Sequence, residues 1–414
     1  MIANADGSGS TLLFEGDGLG PVPLYNFNII ASPIGGTIAV YTFDDPETMT
    51  GPSLSLIDIP LGDVVWTTRL LSNAIETELA EGADYSSPPG QAAAAITAPG
   101  SLAWSPDGRR LAFNAALDGP SADVYVYDLS TRRLARVTAG SNQTAGLLWS
   151  PDSQWIAHQA VQSFGTGAGW DMGAVWAVTP NGRTLRKLYT PASGGEVFIG
   201  WSEGGSLLAY SFTTDGLRDV RAVGLDSGIE NVLIPSYFTD AVYDPDSGTV
   251  AYAVPAGLGF TGSEPGAFLW HPVWSFPKRV DPGDWSEVQW AEGAGRYYFE
   301  GDQGGLGVRP GGGGVVTLPI VDHVSPSPDG RHVALWGDGF SSRKSGISLY
   351  TADLEWEADL AAGDFDVVIW RLDSAGLMTV AADGLVYQPL DGRAVLIDPT
   401  AVAEIDGGIG WVKP

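Results

Sequence analysis

Cysteine is absent from the 414 residues, which excludes a disulfide framework and any thiolate metal site. Histidine occurs four times, and the four share no short metal-ligand spacing. Lysine and arginine number 21 against 49 aspartates and glutamates, a net charge of −28. Such a field disfavours nucleic acid and anionic membrane, which need basic patches, and attracts cations or basic partners. No apolar run reaches the length of a membrane span, and long helical periodicity is missing. No signal peptide precedes Met1, so the chain reads as a trimmed or mature segment. Glycine and proline, by contrast, are plentiful at 56 and 28, as suits a chain built of turns.

A ten-residue block recurs along this turn-rich chain without gaps. Its clearest copies are Trp104-Ser-Pro-Asp-Gly-Arg-Arg-Leu-Ala-Phe113 and Trp149-Ser-Pro-Asp-Ser-Gln-Trp-Ile-Ala-His158, and weaker copies begin at Ala31, Trp201, Tyr243, Trp290, Pro326 and Trp370. Seven places into the block stands Leu111, Ile156 or Val333, and eight places in stands Ala112, Ala157 or Ala334. The apolar runs read as buried strands, and Ser-Pro-Asp-Gly between them as a tight turn with proline fixing φ at its first central position. A second hairpin follows each block, as in Val124 to Asp128 and then Leu134 to Thr138. Four strands per repeated unit is the pattern of a β-propeller.

The Trp-Ser-Pro-Asp-Gly-x-x-Leu-Ala-Phe block, followed by a hairpin ending near Arg136-Val-Thr138, resembles the TolB-type, WD-like propeller repeat over nearly the whole chain. That resemblance implies an all-β repeat protein, periplasmic or extracellular. In such families the propeller holds partner proteins or forms the propeller half of a peptidase.

The expected fold is one propeller domain over residues 1–414, with blades beginning near 24, 99, 144, 195, 237, 284, 320 and 365. Eight blades of four-stranded antiparallel sheet are expected, with nine as the alternative. The ring would be closed by a composite blade pairing 400–414 with 1–14, because an unpaired edge strand must be hidden.

The short turns inside every block lie on one face of such a ring, the bottom. The long connections all emerge on the other, the top, and the largest runs from Ser72 to Pro99. Loops on a rigid scaffold carry function, so candidate partner-binding groups are Asp118 and Asp123, Trp170 and Asp171, Phe260 and Glu264, and Asp338 and Phe340. Aromatics beside carboxylates suit a basic peptide, a cation or a sugar.

No catalytic, cofactor or metal residue stands out. Gly200-Trp-Ser-Glu-Gly204 matches the nucleophile-elbow pattern. Yet Ser202 falls where Ser105, Ser150 and Ser327 stand in sister blocks, and no α/β domain follows. His158 takes an inward aromatic position and is expected to fill the core. The leading expectation is a non-enzymatic scaffold that binds a protein or surface component through its top loops, without nucleic acid and without membrane insertion. The alternatives are a hydrolase or lyase with an acidic site in the central funnel, using a divalent cation such as calcium, and a structural subunit of a larger extracellular assembly.

Overall fold

The structure is a computed structural model. It describes residues 29–44, 51–59, 61–83, 87–98, 100–163, 170–191, 196–202, 204–212, 218–232, 238, 240–256, 264–301, 304–317, 323–337, 345–371, 373–381 and 384–398. Among them are eight four-stranded antiparallel sheets, each following chain order from its first strand to its fourth. Each sheet is a blade containing one copy of the block, and together they form a β-propeller. Both halves of the expected closing blade, 1–14 and 400–414, lie outside the described residues.

The block explains the packing as well as the strands. In the second blade, Leu111 and Phe113 face the first blade, while Ala112 faces the third. The pleat sends alternate side chains to opposite faces, so large residues fill one interface and alanine admits the next blade closely. The Trp that opens the block stitches neighbours together. Trp104, Trp149, Trp201 and Trp370 each donate their indole N–H to a carbonyl of the innermost strand one blade earlier. The acceptors are Ile30 at 3.1 Å, Ala103 at 3.0 Å, Leu148 at 3.3 Å and Ser325 at 2.8 Å. In all four cases the acceptor immediately precedes the earlier block.

Trp290 in the sixth blade departs from this rule. Its indole nitrogen is buried without a hydrogen-bond partner. The bond back to the fifth blade comes instead from the Tyr297 hydroxyl, which donates to the Thr249 carbonyl at 2.7 Å. A hydrogen bond of this kind contributes about 1 kcal/mol net. Trp149→Phe is therefore expected to destabilise by about 1 kcal/mol more than Trp290→Phe, as read from urea midpoints. Equal losses would remove the indole bond from the interface energetics.

The block turns are built alike. The hydroxyls of Ser105, Ser150 and Ser327 donate to Asp107, Asp152 and Asp329 at 2.6, 2.6 and 2.7 Å. Each hydroxyl also accepts a backbone N–H from the returning strand, that of Arg110, Trp155 or His332, at 2.9–3.0 Å. The residue after the Asp adopts a left-handed backbone, φ +64° at Gly108 and +66° at Gly330. Ser153 and Ser374 occupy the same place with φ 58° and 60°. There the hydroxyls accept the backbone N–H of Asp107 and Asp329 in the preceding blade's turn, at 3.2 and 3.0 Å. A strained serine is held because it joins two blades.

Surface character divides between the two ends. Among the described residues, Val197 is the exposed large apolar side chain that starts an innermost strand, at the top. The others sit in bottom turns (Ile34, Leu61, Val273, Phe276, Val315) or near the start of an outermost strand just after one (Val64, Val65, Leu134, Leu185, Trp356, Leu396).

Candidate functional site

The top rim carries the longest connections. The Ser72 to Pro99 insertion, expected from sequence only as a loop, holds two helices, α1 (Asn73–Ala80) and α2 (Pro88–Thr97). Their signals are local. Ser72 and Ser87 cap the two N-termini through their hydroxyls, and Pro-Pro opens α2 ahead of an alanine run, a good helix start. At eight and ten residues they are too short for a long-period pattern to register. Ile75, Ala92, Ala95 and Ile96 bury against the first and second blades. Ser72 N–H and Ala116 N–H exchange backbone hydrogen bonds across the insertion's base, to Ala116 O and Leu70 O, both 2.8 Å. The insertion is thus fixed to the scaffold.

Polar side chains tie α2 to the blades beneath it. Asn114, at the top of the strand Arg110–Ala115, donates to Ala95 O at 3.3 Å and to Thr144 O of the third blade at 2.9 Å. Asn114 is the residue just past the ten-residue block. The same place in the sixth blade is Glu300, whose Oε1 accepts the backbone N–H of Val324 in the seventh blade at 2.9 Å. In the first blade it is Tyr41, whose hydroxyl lies 3.5 Å from Ser101 Oγ of the second. In these three blades the position bridges to the next blade at the top of the ring.

The fifth to seventh blades gather the acids of the mouth. Asp240 opens the fifth blade and accepts the Val288 backbone N–H of the sixth at 3.0 Å. Glu287 is exposed and pairs in register with Glu300, just after a bulge at the top of that strand. Gln289 donates to Glu300 Oε1 at 2.9 Å and also to the Val324 carbonyl. His323 Nδ1 stands 3.8 Å from Glu300 Oε2, and its ring stacks on Trp336 with centroids 4.1 Å apart. Burial pushes the Glu300 carboxyl up to about 8, and neighbouring Glu287 and Asp240 add to the shift against the opposing hydrogen bonds from Val324 and Gln289. Glu300 is therefore a neutral acid at pH 7. Among the described residues, no group of three His, Asp or Glu side chains is placed to hold a metal ion.

The residues singled out in the sequence fall in several places. Asp118 and Asp123 converge on Arg136, Asp118 at 3.0 Å and Asp123 through a second guanidinium nitrogen at 2.5 Å. Asp123 is buried, and its other oxygen accepts the Thr138 hydroxyl at 2.8 Å. Asp118 accepts the Tyr125 hydroxyl; that bond first, and the Arg136 charge after it, hold its carboxyl below the usual range despite partial burial. Glu264 pairs with Arg279 at 2.7 Å. Trp170 and Asp171 open the third strand of the third blade, opposite Ser163 and Gln162. Phe260, Asp338 and Phe340 lie outside the described residues. The Asp240, Glu287, Glu300 and His323 group was missed. A polar residue directly after an apolar block was its signal.

Ser202 sits in a block turn. Its Oγ accepts the Ser206 backbone N–H at 2.9 Å, the role the hydroxyls of Ser105 and Ser150 fill in theirs. His158 is buried, and desolvation holds it down to about 4. A neutral buried His is penalised when the unfolded chain binds its proton first. His158 therefore contributes stability above the unfolded value near 6.5, and that stability is lost as pH falls toward 4. His158→Phe is expected to remove roughly 3 kcal/mol of this acid sensitivity between pH 6.5 and 4. Unfolding midpoints measured across that window check it; parallel curves for both proteins would speak against it.

The fold class is thus a β-propeller of eight described blades. In keeping with it, a crystal structure of the eukaryotic initiation factor is similar, with a TM-score of 0.57 at 10% identity over 89% of this chain and 86% of that one. A Pyrococcus horikoshii acylaminoacyl peptidase gives 0.45 at 13% identity over 88% of this chain and 51% of its own. A chain of the mitotic checkpoint complex gives 0.39 at 18%, over 71% and 90%. The first likeness supports the fold; the other two carry no argument. No family model and no curated protein matches the chain by sequence.

Proposed function

We propose that the protein is a single-domain propeller scaffold of the TolB type, working outside the cytoplasm, which holds a positively charged segment of a partner protein on its top face. The observation that carries this is the unbalanced charge of that face. The acids there include Glu76, Glu78 and Glu81 on and just past α1, with Asp284, Glu287, Asp364 and Asp366 on the rims of later blades. Among the described side chains, the cations beside them are engaged: Arg69 with Asp44, Arg136 with Asp118 and Asp123, and Arg279 with Glu264. Arg343 and Lys344 belong to a loop outside the described residues. Cofactors play no part in this reading.

A field of one sign over a rigid face speeds the encounter with an opposite charge and selects against like-charged partners. Peptides selected by display on the immobilised protein test it. They are expected to be rich in Lys and Arg, and to lose about tenfold in affinity for the Glu76→Gln/Glu78→Gln/Glu81→Gln variant. Selected peptides that bind wild type and variant equally would overturn the proposal.

The second reading, a hydrolase or lyase, draws on Glu300: an acid neutral to about pH 8 beside His323 has the protonation state general acid catalysis needs. Against it, Glu300 spends Oε1 on the Val324 backbone, as Asn114 spends its amide on Thr144. The bridging role is shared by sister blades and needs no substrate.

A further inference from the structure

We infer that two copies of this chain associate bottom to bottom, through a patch on the fifth and sixth blades. The seven-residue bottom turn 271–277 of the fifth blade runs His-Pro-Val-Trp-Ser-Phe-Pro. It presents Val273 and Phe276 to solvent, 80% and 69% exposed. Large apolar groups are left in water at a cost, and apolar groups gathered on one ordered turn mark a contact surface.

The turn is built to hold them there. His271 Nδ1 accepts the Val273 backbone N–H at 3.1 Å, and Trp274 N–H donates to the His271 carbonyl at 2.8 Å. The His271 ring also packs on the adjacent turn at Gly248. Lys278 Nζ donates to the Gly311 carbonyl at 3.0 Å, tying the turn to the sixth blade's outer turn, where Val315 is exposed. A surface ordered in advance loses little entropy on docking.

Charge identifies the occupant. The bottom turns of these two blades, which carry Val273, Phe276 and Val315, also carry or adjoin exposed Lys278 and Arg309 together with exposed Asp246 and Glu292. A face that carries both signs beside its apolar groups can pair opposite charges with its own copy across a twofold axis. The same arrangement turns both acid-rich top faces outward, away from each other, so two chains of net charge −28 meet where their repulsion is least. The inference does not depend on the top-face proposal, but if both hold, the dimer displays two binding faces and gains avidity.

Analytical ultracentrifugation of the whole chain decides it. The wild type is expected to dimerise reversibly below about 100 µM. Val273→Ser/Phe276→Ser is expected to weaken the dimer by at least about tenfold; both side chains are exposed, so folding is untouched. Trp356→Ser, on the seventh blade's outer strand, is the control and leaves the dimer intact. A monomeric wild type overturns the inference. So does a dimer indifferent to the double substitution, or a wild type that stays monomeric but sediments with phosphatidylcholine vesicles.

Discussion

Gly330→Ala is expected to destabilise the protein by about 4 kcal/mol, adding left-handed backbone strain to an overpacked contact. The added Cβ would overlap the Ala294 nitrogen and the Gly293 carbonyl carbon, in the sixth blade's turn. Both are backbone atoms, so relief requires two blades to separate. Gly108→Ala makes the comparison specific. Its φ is similar, but its Cβ meets the side chain of Ile34, which is largely exposed and free to swing aside. That substitution should cost only the backbone strain, about 1–2 kcal/mol. Urea denaturation of the two variants reads the difference. Similar costs at both sites would mean that blades six and seven do not approach as closely as described.

Glu300→Gln is expected to stabilise the protein in mild alkali and leave it unchanged in acid. The folded carboxyl titrates at about 8 rather than 4.5. Below 4.5 both states carry the proton. Between 4.5 and 8 the unfolded chain has released it while the folded chain still holds it, so stability falls as pH rises through that window. The loss amounts to several kcal/mol by pH 8, on the order of 4. Glutamine keeps an oxygen for the Val324 and Gln289 donors and has no proton to lose. The difference between variant and wild type, followed by urea midpoints from pH 4.5 to 8, should grow from near zero to that value; His158 titrates in both and cancels. Parallel stability curves would show that Glu300 is ionised in the folded protein at neutral pH.

The blades were legible because the block encodes both strands and the turn between them in ten residues: Trp149 to His158 already states which side chains pack inward and where the chain reverses. Other features were hidden for physical reasons. Ser153 and Ser374 share a left-handed backbone position with Gly108 and Gly330, and a serine gives no sign of that in sequence. The bridge just past the block is chemically different in each of the three blades that make it, Tyr41, Asn114 or Glu300, so no residue type repeats to reveal it. α1 and α2 escaped because caps and an alanine run are short-range signals inside a segment otherwise read as loop. Asp118, Asp123 and Glu264 were legible as acids on long connections. Their arginine partners are 13–18 residues away in the case of Arg136, and 15 for Arg279, and only the hairpin register brings them together.

Exchange of the tryptophan indole N–H groups, followed by NMR on protein labelled at its 15 tryptophans, tests most directly the claim that equivalent blades are stitched by the opening residue of each block. Trp104, Trp149, Trp201 and Trp370 should exchange slowly and together, at the rate set by opening of the blade interfaces, while exposed Trp356 exchanges at once. Rapid exchange at those four positions, matching Trp356, would contradict it.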